Sequence, residues 1–436
     1  MHRTLLSLVL ASIALLSPGS PAHAGDADTV SQWTDKLAPQ VVAWRRDIHQ
    51  HPELSNREVR TSELIAKQLR ALGLEVKTGV AHTGVVALLR GGRPGPHLAI
   101  RADMDALPVT EDDDLPFKST VRAQFNGQDV GVMHACGHDG HIAILLGVAT
   151  ALAGMRKDLP GEVLFIFQPA EEGVPPGEDG GATLMLKEGI FRDFKPDAVF
   201  GMHVVSWLNV GTVGVRSGPA MAGSDTFKLV VHGRQTHGAM PWNGVDPIVT
   251  SAEIIGAAQT IVSRKLDIGY MPAVLTFGVI QGGTRFNIVP DKVEMQGTLR
   301  TFDAGMRQQA IDNLKAMSEG IATANGATAE LTIPVGTNPV LVNDPALAAR
   351  VKVSIAQAIG TEHTIDPKVW MASEDFAWFA KEAPSVYFFV GATPVGQDAA
   401  HAPSNHSPKF FLDEAALQVG MRSMLQASLD FLGAKP

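Results

Sequence analysis

Glu162-Val163-Leu164-Phe165-Ile166-Phe167-Gln168 runs without a second charge into Pro169-Ala170-Glu171-Glu172-Gly173. An apolar run of that length, closed by a Pro/Gly turn, reads as a strand buried on both faces. Two other stretches are built alike. His97 to Ala102 leads into Asp103-Met104-Asp105-Ala106-Leu107-Pro108, and Ala198 to Met202 ends at His203. Val85 to Leu89 is a further short buried strand. Helical patterns lie around them. Val30, Trp33, Leu37, Val41 and Trp44 recur every three or four residues in Thr29 to His49, and a second amphipathic stretch from Glu58 to Leu72 is stopped by Gly73. His141 to Ala153 is apolar nearly all round and reads as a core helix. Buried strands alternating with helices predict an α/β fold, a mainly parallel sheet with helices on both faces. Open sheets of this kind place their sites at the carboxyl ends of the strands. Asp103 or Asp105, Glu171 with Glu172, and His203 all fall there.

The pattern changes near Ser217-Gly218-Pro219. From there the order is strand (Phe227 to Val231), helix (Asp246 to Lys265), strand (Val274 to Gln281), strand (Lys292 to Arg300), helix (Ala304 to Asn325) and strand (Thr328 to Pro334). That βαββαβ order is the split-βαβ, ferredoxin-like arrangement. It predicts an α+β domain at 219–334 inserted into a first domain made of 29–218 and 335–436. Helix Pro345 to Ile359, strand Ser385 to Val390 and helix Leu412 to Leu432 complete the first domain.

Met133-His134-Ala135-Cys136-Gly137-His138-Asp139-Gly140-His141 holds the only cysteine of 436 residues and three of fifteen histidines. Thiolate and imidazole are the usual ligands of zinc and similar ions. The loop is therefore either a metal site or a His-rich surface loop with a small buried thiol. Glu171-Glu172 is a metal ligand beside a base, or a solvated acidic turn. His203 and His406 are ligands, or ordinary strand-end and loop histidines. His401 reads as a surface residue. Arg300 and Asn287 belong to the inserted domain.

His2-Arg3, the apolar run Leu5 to Leu16 and Ala22-His23-Ala24 form a secretory signal peptide, residues 1–24, which predicts export to a bacterial periplasm. A net charge of −9 with no basic run argues against nucleic acid or an anionic membrane as partner. In an oxidising compartment a lone cysteine has no intrachain partner, so it is inert, intermolecular or a ligand, and metal ligation would protect it.

Taken together, the chain resembles the M20 metallopeptidase and aminoacylase family. Within it, the likeness is to the amidohydrolase branch of hippurate hydrolases, N-acyl amino acid amidohydrolases and plant auxin-conjugate hydrolases. The matching stretches, in one order from end to end, are Asp103-Met104-Asp105-Ala106-Leu107-Pro108, His134-Ala135-Cys136-Gly137-His138-Asp139, Gln168-Pro169-Ala170-Glu171-Glu172-Gly173, Gly201-Met202-His203, Thr236-His237-Gly238-Ala239-Met240-Pro241, Asn287-Ile288-Val289-Pro290, Ser373-Glu374-Asp375-Phe376 and His406-Ser407-Pro408. The resemblance implies a catalytic domain with an inserted lid that also dimerises the protein. It implies two divalent ions per subunit (Zn, Mn, Co or Ni) held by Cys136, His138, Glu172, His203 and His406, with Glu171 as general base. It implies that His237, from the lid of a partner subunit, meets the substrate carbonyl, and that Asn287 and Arg300 hold the substrate carboxylate. The implied reaction is hydrolysis of N-acyl or N-aroyl amino acids by metal-activated water. A carboxypeptidase or dipeptidase of the same fold is the alternative, and a non-catalytic exported binding protein a weaker one. No G-x-S-x-G elbow supports a serine hydrolase. The chain departs from much of the wider family in having Asp103 in place of a ligating histidine and the Cys136 loop in place of a bridging aspartate. It also has Trp242 after the lid proline where a histidine is expected.

Overall fold

The computed structural model describes residues 24–334 and 338–433. Residues 1–23, which carry the expected leader up to its last residue, lie outside the described residues. An eight-stranded sheet organises the molecule. In spatial order its strands are Glu75–Val80, Gly84–Arg90, Pro160–Gln168, Arg93–Asp103, Ala198–Asn209, Ser385–Thr393, Val213–Gly214 and Thr364–Ile365. The four central strands, from Pro160–Gln168 to Ser385–Thr393, are parallel; Gly84–Arg90 joins them antiparallel, and Glu75–Val80 pairs antiparallel with Gly84–Arg90 in turn. Glu75–Val80 left no apolar run in the sequence because it is an edge strand, exposed along most of its length.

Alternate residues face opposite layers, as a period of two demands. Phe165 and Phe167 join Val41, Ile65, Leu145, Val351 and Leu425 on the side of the long helices Ala24–Gln50, Val59–Ala71, His138–Gly154, Pro345–Ile359 and Ala415–Leu432. Leu164 and Ile166 pack the other way, against Met185, Phe376 and Phe379 of short helical segments. Both faces are covered, as expected, but the long helices gather on one of them.

Two expected boundaries need correction, and both bear on chemistry. The core helix begins at His138 rather than His141. Its first turn, His138-Asp139-Gly140-His141, is polar in composition yet buried, so hydropathy alone places the start too late. The strand expected to stop at His203 continues to Asn209 and pairs His203 with Phe389. Val204 and Val205 are both fully buried, so the core carries on past the histidine.

The inserted unit matches its expected order closely. Gly223–His232, Val274–Gly282, Lys292–Thr301 and Thr328–Thr332 form an antiparallel sheet in the spatial order 274–282, 292–301, 223–232, 328–332. Helices Pro247–Thr260 and Ala304–Ala324 cover one face with Ile254, Ala258, Leu314 and Ala322. No helix among the described residues is long and apolar enough to cross a membrane.

Candidate metal centre and active site

Gly137 precedes the His138–Gly154 helix with φ +93°, and a Cβ there would lie 2.3 Å from Cγ2 of Val204. The loop carrying Cys136 therefore closes against the 198–209 strand only because position 137 has no side chain. Gly137→Ala is expected to lower stability by about 1–3 kcal/mol, since it adds both backbone strain and an overlap. A fall in the thermal midpoint of the purified protein checks this. The helix start is pinned further by Asp139, which accepts hydrogen bonds from Arg45 Nε at 2.7 Å and His49 Nδ1 at 2.9 Å.

Side chains from four distant segments meet at this loop. Cys136 Sγ lies 3.3 Å from His203 Nε2 and 3.2 Å from His406 Nε2. His406 Nε2 is 3.1 Å from Glu172 Oε1, which is 3.8 Å from His138 Nε2. Donors about 2.0–2.3 Å from a shared cation, at tetrahedral angles, stand roughly 3.3–3.8 Å apart. These separations are close to that spacing. The imidazole orientations agree. His138 Nδ1 donates to the Asp105 carbonyl at 2.8 Å, and His203 Nδ1 donates to the Val204 carbonyl at 2.7 Å. A carbonyl only accepts, so Nδ1 carries the proton and Nε2 presents a lone pair to the cluster. Buried atoms left without a hydrogen-bond partner fall here too, namely His138 Nε2 and Glu172 Oε1. Burial pushes the Cys136 thiol well above its ordinary pKa, and the Glu172 and Glu171 carboxylates push it further. Only a cation makes such a thiol a thiolate. Donor type, spacing and orphaned lone pairs therefore fit divalent metal.

Asp103 and Asp105 lie behind this cluster. Asp103 Oδ1 accepts from His141 Nδ1 at 2.5 Å and Oδ2 accepts from Arg101 Nη1 at 2.6 Å, so both oxygens are engaged. His141 Nε2 is engaged as well, accepting from the Val204 amide at 2.9 Å. Asp105 accepts from the amides of Glu171 and Glu172 at 3.1 and 3.0 Å. On the opposite side Asn405 Nδ2 donates to the carbonyls of Cys136 and Val204, both at 3.1 Å, fixing the turn that delivers His406.

Sequence reasoning assigned no role to the layer beneath Glu171. Arg101 is fully buried and donates to Asp103, to Glu374 at 2.9 Å, to Asp375 at 3.1 Å and to Gln168 at 2.8 Å. Tyr387 adds a hydroxyl bond to Glu374 at 2.6 Å. The available signal was Arg101 itself, a lone charge in a buried strand, which obliges partners. Glu171 lies within reach of Glu374 and Asp375. Burial raises the Glu171 carboxyl well above its usual range, and Glu374, Glu172 and Asp375 add to the rise.

A cavity of about 960 Å³ opens over the cluster. Glu171, Glu172, Cys136, His203 and His406 line it, and Arg300 reaches it from the inserted unit. Arg300 Nη1 is buried there with no hydrogen-bond partner. His237 and Asn287 are not among its lining residues. His237 is exposed on a two-residue ribbon whose partner strand follows Asn287, where it pairs with Ile288. His401 is exposed and paired with Asp398, a surface residue as expected.

Fold and site together define a metal-dependent hydrolase, with a buried carboxyl beside a cluster of thiol, imidazole and carboxylate donors that could hold metal, next to an inserted α+β unit. The model of peptidase family M20/M25/M40 matches residues 99–430, and the chain belongs to that family. It is 42% identical to thermostable carboxypeptidase 2 of Saccharolobus solfataricus, over 87% of this chain and 92% of that protein. It is 39% identical to the N-acyl-L-amino acid amidohydrolase of Geobacillus stearothermophilus, over 73% of this chain and 82% of that one. Among solved structures, the Bacillus subtilis YXEP protein, described as a dinuclear metal-binding peptidase of the M20 family, superposes with a TM-score of 0.76. It is 34% identical and aligns over 92% of this chain and all of that one.

Proposed function

We propose that this protein is an exported amidohydrolase that cleaves N-acyl amino acids to a carboxylic acid and a free amino acid. The observation that carries the reading is the Glu171-Glu172 turn: Glu172 joins the ligand cluster while Glu171, beside it, lines the same cavity and carries a raised pKa. The reading assigns Cys136, His138, Glu172, His203 and His406 to two cations, with Cys136 and Glu172 shared between overlapping donor sets. A bound divalent cation supplies Lewis acidity to the carbonyl and acidifies water.

Glu171 takes a proton from the attacking water and returns it to the departing amine. Arg300, a planar fork from the inserted unit that reaches the cavity, receives the substrate carboxylate. Asn287, outside the cavity of its own chain, is assigned to the same carboxylate by the family resemblance alone. His237 of the partner subunit donates to the carbonyl oxygen as charge develops on it. That last role needs a dimer, and the surface around this ribbon supports one: Trp242 is 75% exposed and Phe286 96% exposed. The division into 29–218, 219–334 and 335–436 and the periplasmic address rest on the sequence pattern and belong to the same proposal.

Trp207 and Trp370 line the cavity, with Trp370 edge-on to His203 at 5.2 Å between ring centroids. An aromatic acyl group suits that wall. N-benzoylglycine is expected to be hydrolysed with kcat/KM about 10-fold or more above N-acetylglycine. Likeness to a carboxypeptidase favours peptides as the second reading, so a dipeptide is assayed beside them. Chelator should abolish turnover, and added Zn, Mn, Co or Ni should restore it. Equal turnover with and without chelator, or cleavage of the dipeptide alone, overturns the N-acyl reading.

A further inference from the structure

The turn that splits Glu171 from Glu172 is held in an unusual backbone state. Ala170, the residue before the pair, is buried and has φ +54°, a left-handed conformation unfavourable for an L-residue with a Cβ. Three successive amides of this turn are bound by carboxyl groups. Glu171 N and Glu172 N donate to Asp105 at 3.1 and 3.0 Å, and Ala170 N donates to Glu58 Oε1 at 3.0 Å. The Thr83 hydroxyl donates to Glu58 Oε2 at 2.5 Å, and the Ser55 hydroxyl donates to Asp105 at 2.7 Å. Ser55 and Glu58 stand on one short segment before the Val59–Ala71 helix.

Glu58 occupies the N-cap position of that helix but makes no capping bond. Glu53 does that work, accepting from Arg60 N at 3.0 Å and Thr61 N at 2.9 Å. Glu58 is nevertheless completely buried. A buried carboxyl is costly, and helix formation does not require this one. Its hydrogen bonds run to the Thr83 hydroxyl and to the strained turn at the base.

We infer that Glu58 is a positioning residue for the catalytic turn: by binding the Ala170 amide it holds the left-handed backbone that aims Glu171 at substrate and Glu172 at metal. The inference rests on Glu171 acting as base. Burial and the neighbouring Asp105 carboxylate push Glu58 up to about 8. Near neutral pH its Oε1 still accepts from Ala170 N while the protonated Oε2 donates to the Thr83 oxygen, and the amide of a glutamine reproduces both contacts.

The test uses the metal-loaded enzyme with N-benzoylglycine, following kcat, KM, metal content and thermal midpoint. Glu58→Ala should lower kcat about tenfold or more, a typical cost of misaiming a reacting group, with KM and metal content near wild type. Glu58→Gln should stay within about threefold of wild type because its amide oxygen still accepts from Ala170, and Thr83→Val should lower kcat several-fold. Glycine adopts the left-handed state freely. In an Ala170→Gly background, Glu58→Ala should therefore cost much less, a coupling that a general packing defect would not produce. Should Glu58→Ala not fold, Thr83→Val in the two backgrounds carries the same comparison. Wild-type kcat in Glu58→Ala or Thr83→Val, or an equal loss in both backgrounds, overturns the inference. Near-full activity of Glu171→Gln instead overturns the base assignment, which separates the two failures.

Discussion

Replacing Glu171 by glutamine is expected to lower kcat by about 10²–10⁴-fold, the range spanned by general acid–base groups, with metal content and KM near wild type. Burial raises this carboxyl well above its ordinary range, and the carboxylates of Glu374, Glu172 and Asp375 raise it further. Such a group holds a proton well once it has taken one, which a shuttle between water and a leaving amine requires. The amide keeps the size of the side chain but cannot accept the proton. Glu172 and Asp105 are untouched by the change, so the ligand set stays in place. Retention of near-full activity would remove Glu171 from the base role.

Arg101→Met should produce the largest loss of stability, about 3–5 kcal/mol, because it strands a buried set of carboxyl groups. Asp103, Glu374 and Asp375 all face the guanidinium. Burial alone would raise Asp103. Arg101, the first of the opposing influences, outweighs it and holds the group well below the usual carboxylate range. A depressed carboxyl contributes stability that is present above its unfolded pKa, near 4, and is lost as pH falls through the folded value. The gap between wild type and variant is therefore widest at neutral pH and narrows below about pH 4. Urea unfolding at several pH values measures it. A gap that stayed constant across this range would mean that packing, rather than charge, is what Arg101 supplies.

Much of this was legible from the residues alone. Buried strands announce themselves by unbroken apolar runs, which located 160–168 and the first half of 198–209, though the second continues past the His203 where its apolar run was read to end. The inserted unit was readable because its strands and helices follow one another in the βαββαβ order. Cys136, His138, Glu172, His203 and His406 were all singled out, and they do meet. What stayed hidden has no periodicity. Arg101 finds Glu374 and Asp375 more than 270 residues away, and Glu58 finds Ala170 at a separation of 112. Contacts between polar side chains at that range are set by topology, which hydropathy does not encode. The ribbon bearing His237 was placed by motif, and neither pattern nor spacing indicated that it would stand outside the cavity of its own chain.

The strand Ser385–Thr393 lies between Ala198–Asn209 and Val213–Gly214 in the large sheet. Its slot is thus bordered by segments made early, while the strand itself is synthesised after the entire inserted unit. During vectorial synthesis the first half of the sheet must wait with the 198–209 hydrogen-bonding edge unpaired, a template for aggregation. Growth from the ribosome would thus leave that edge open until the last fifty or so residues arrive.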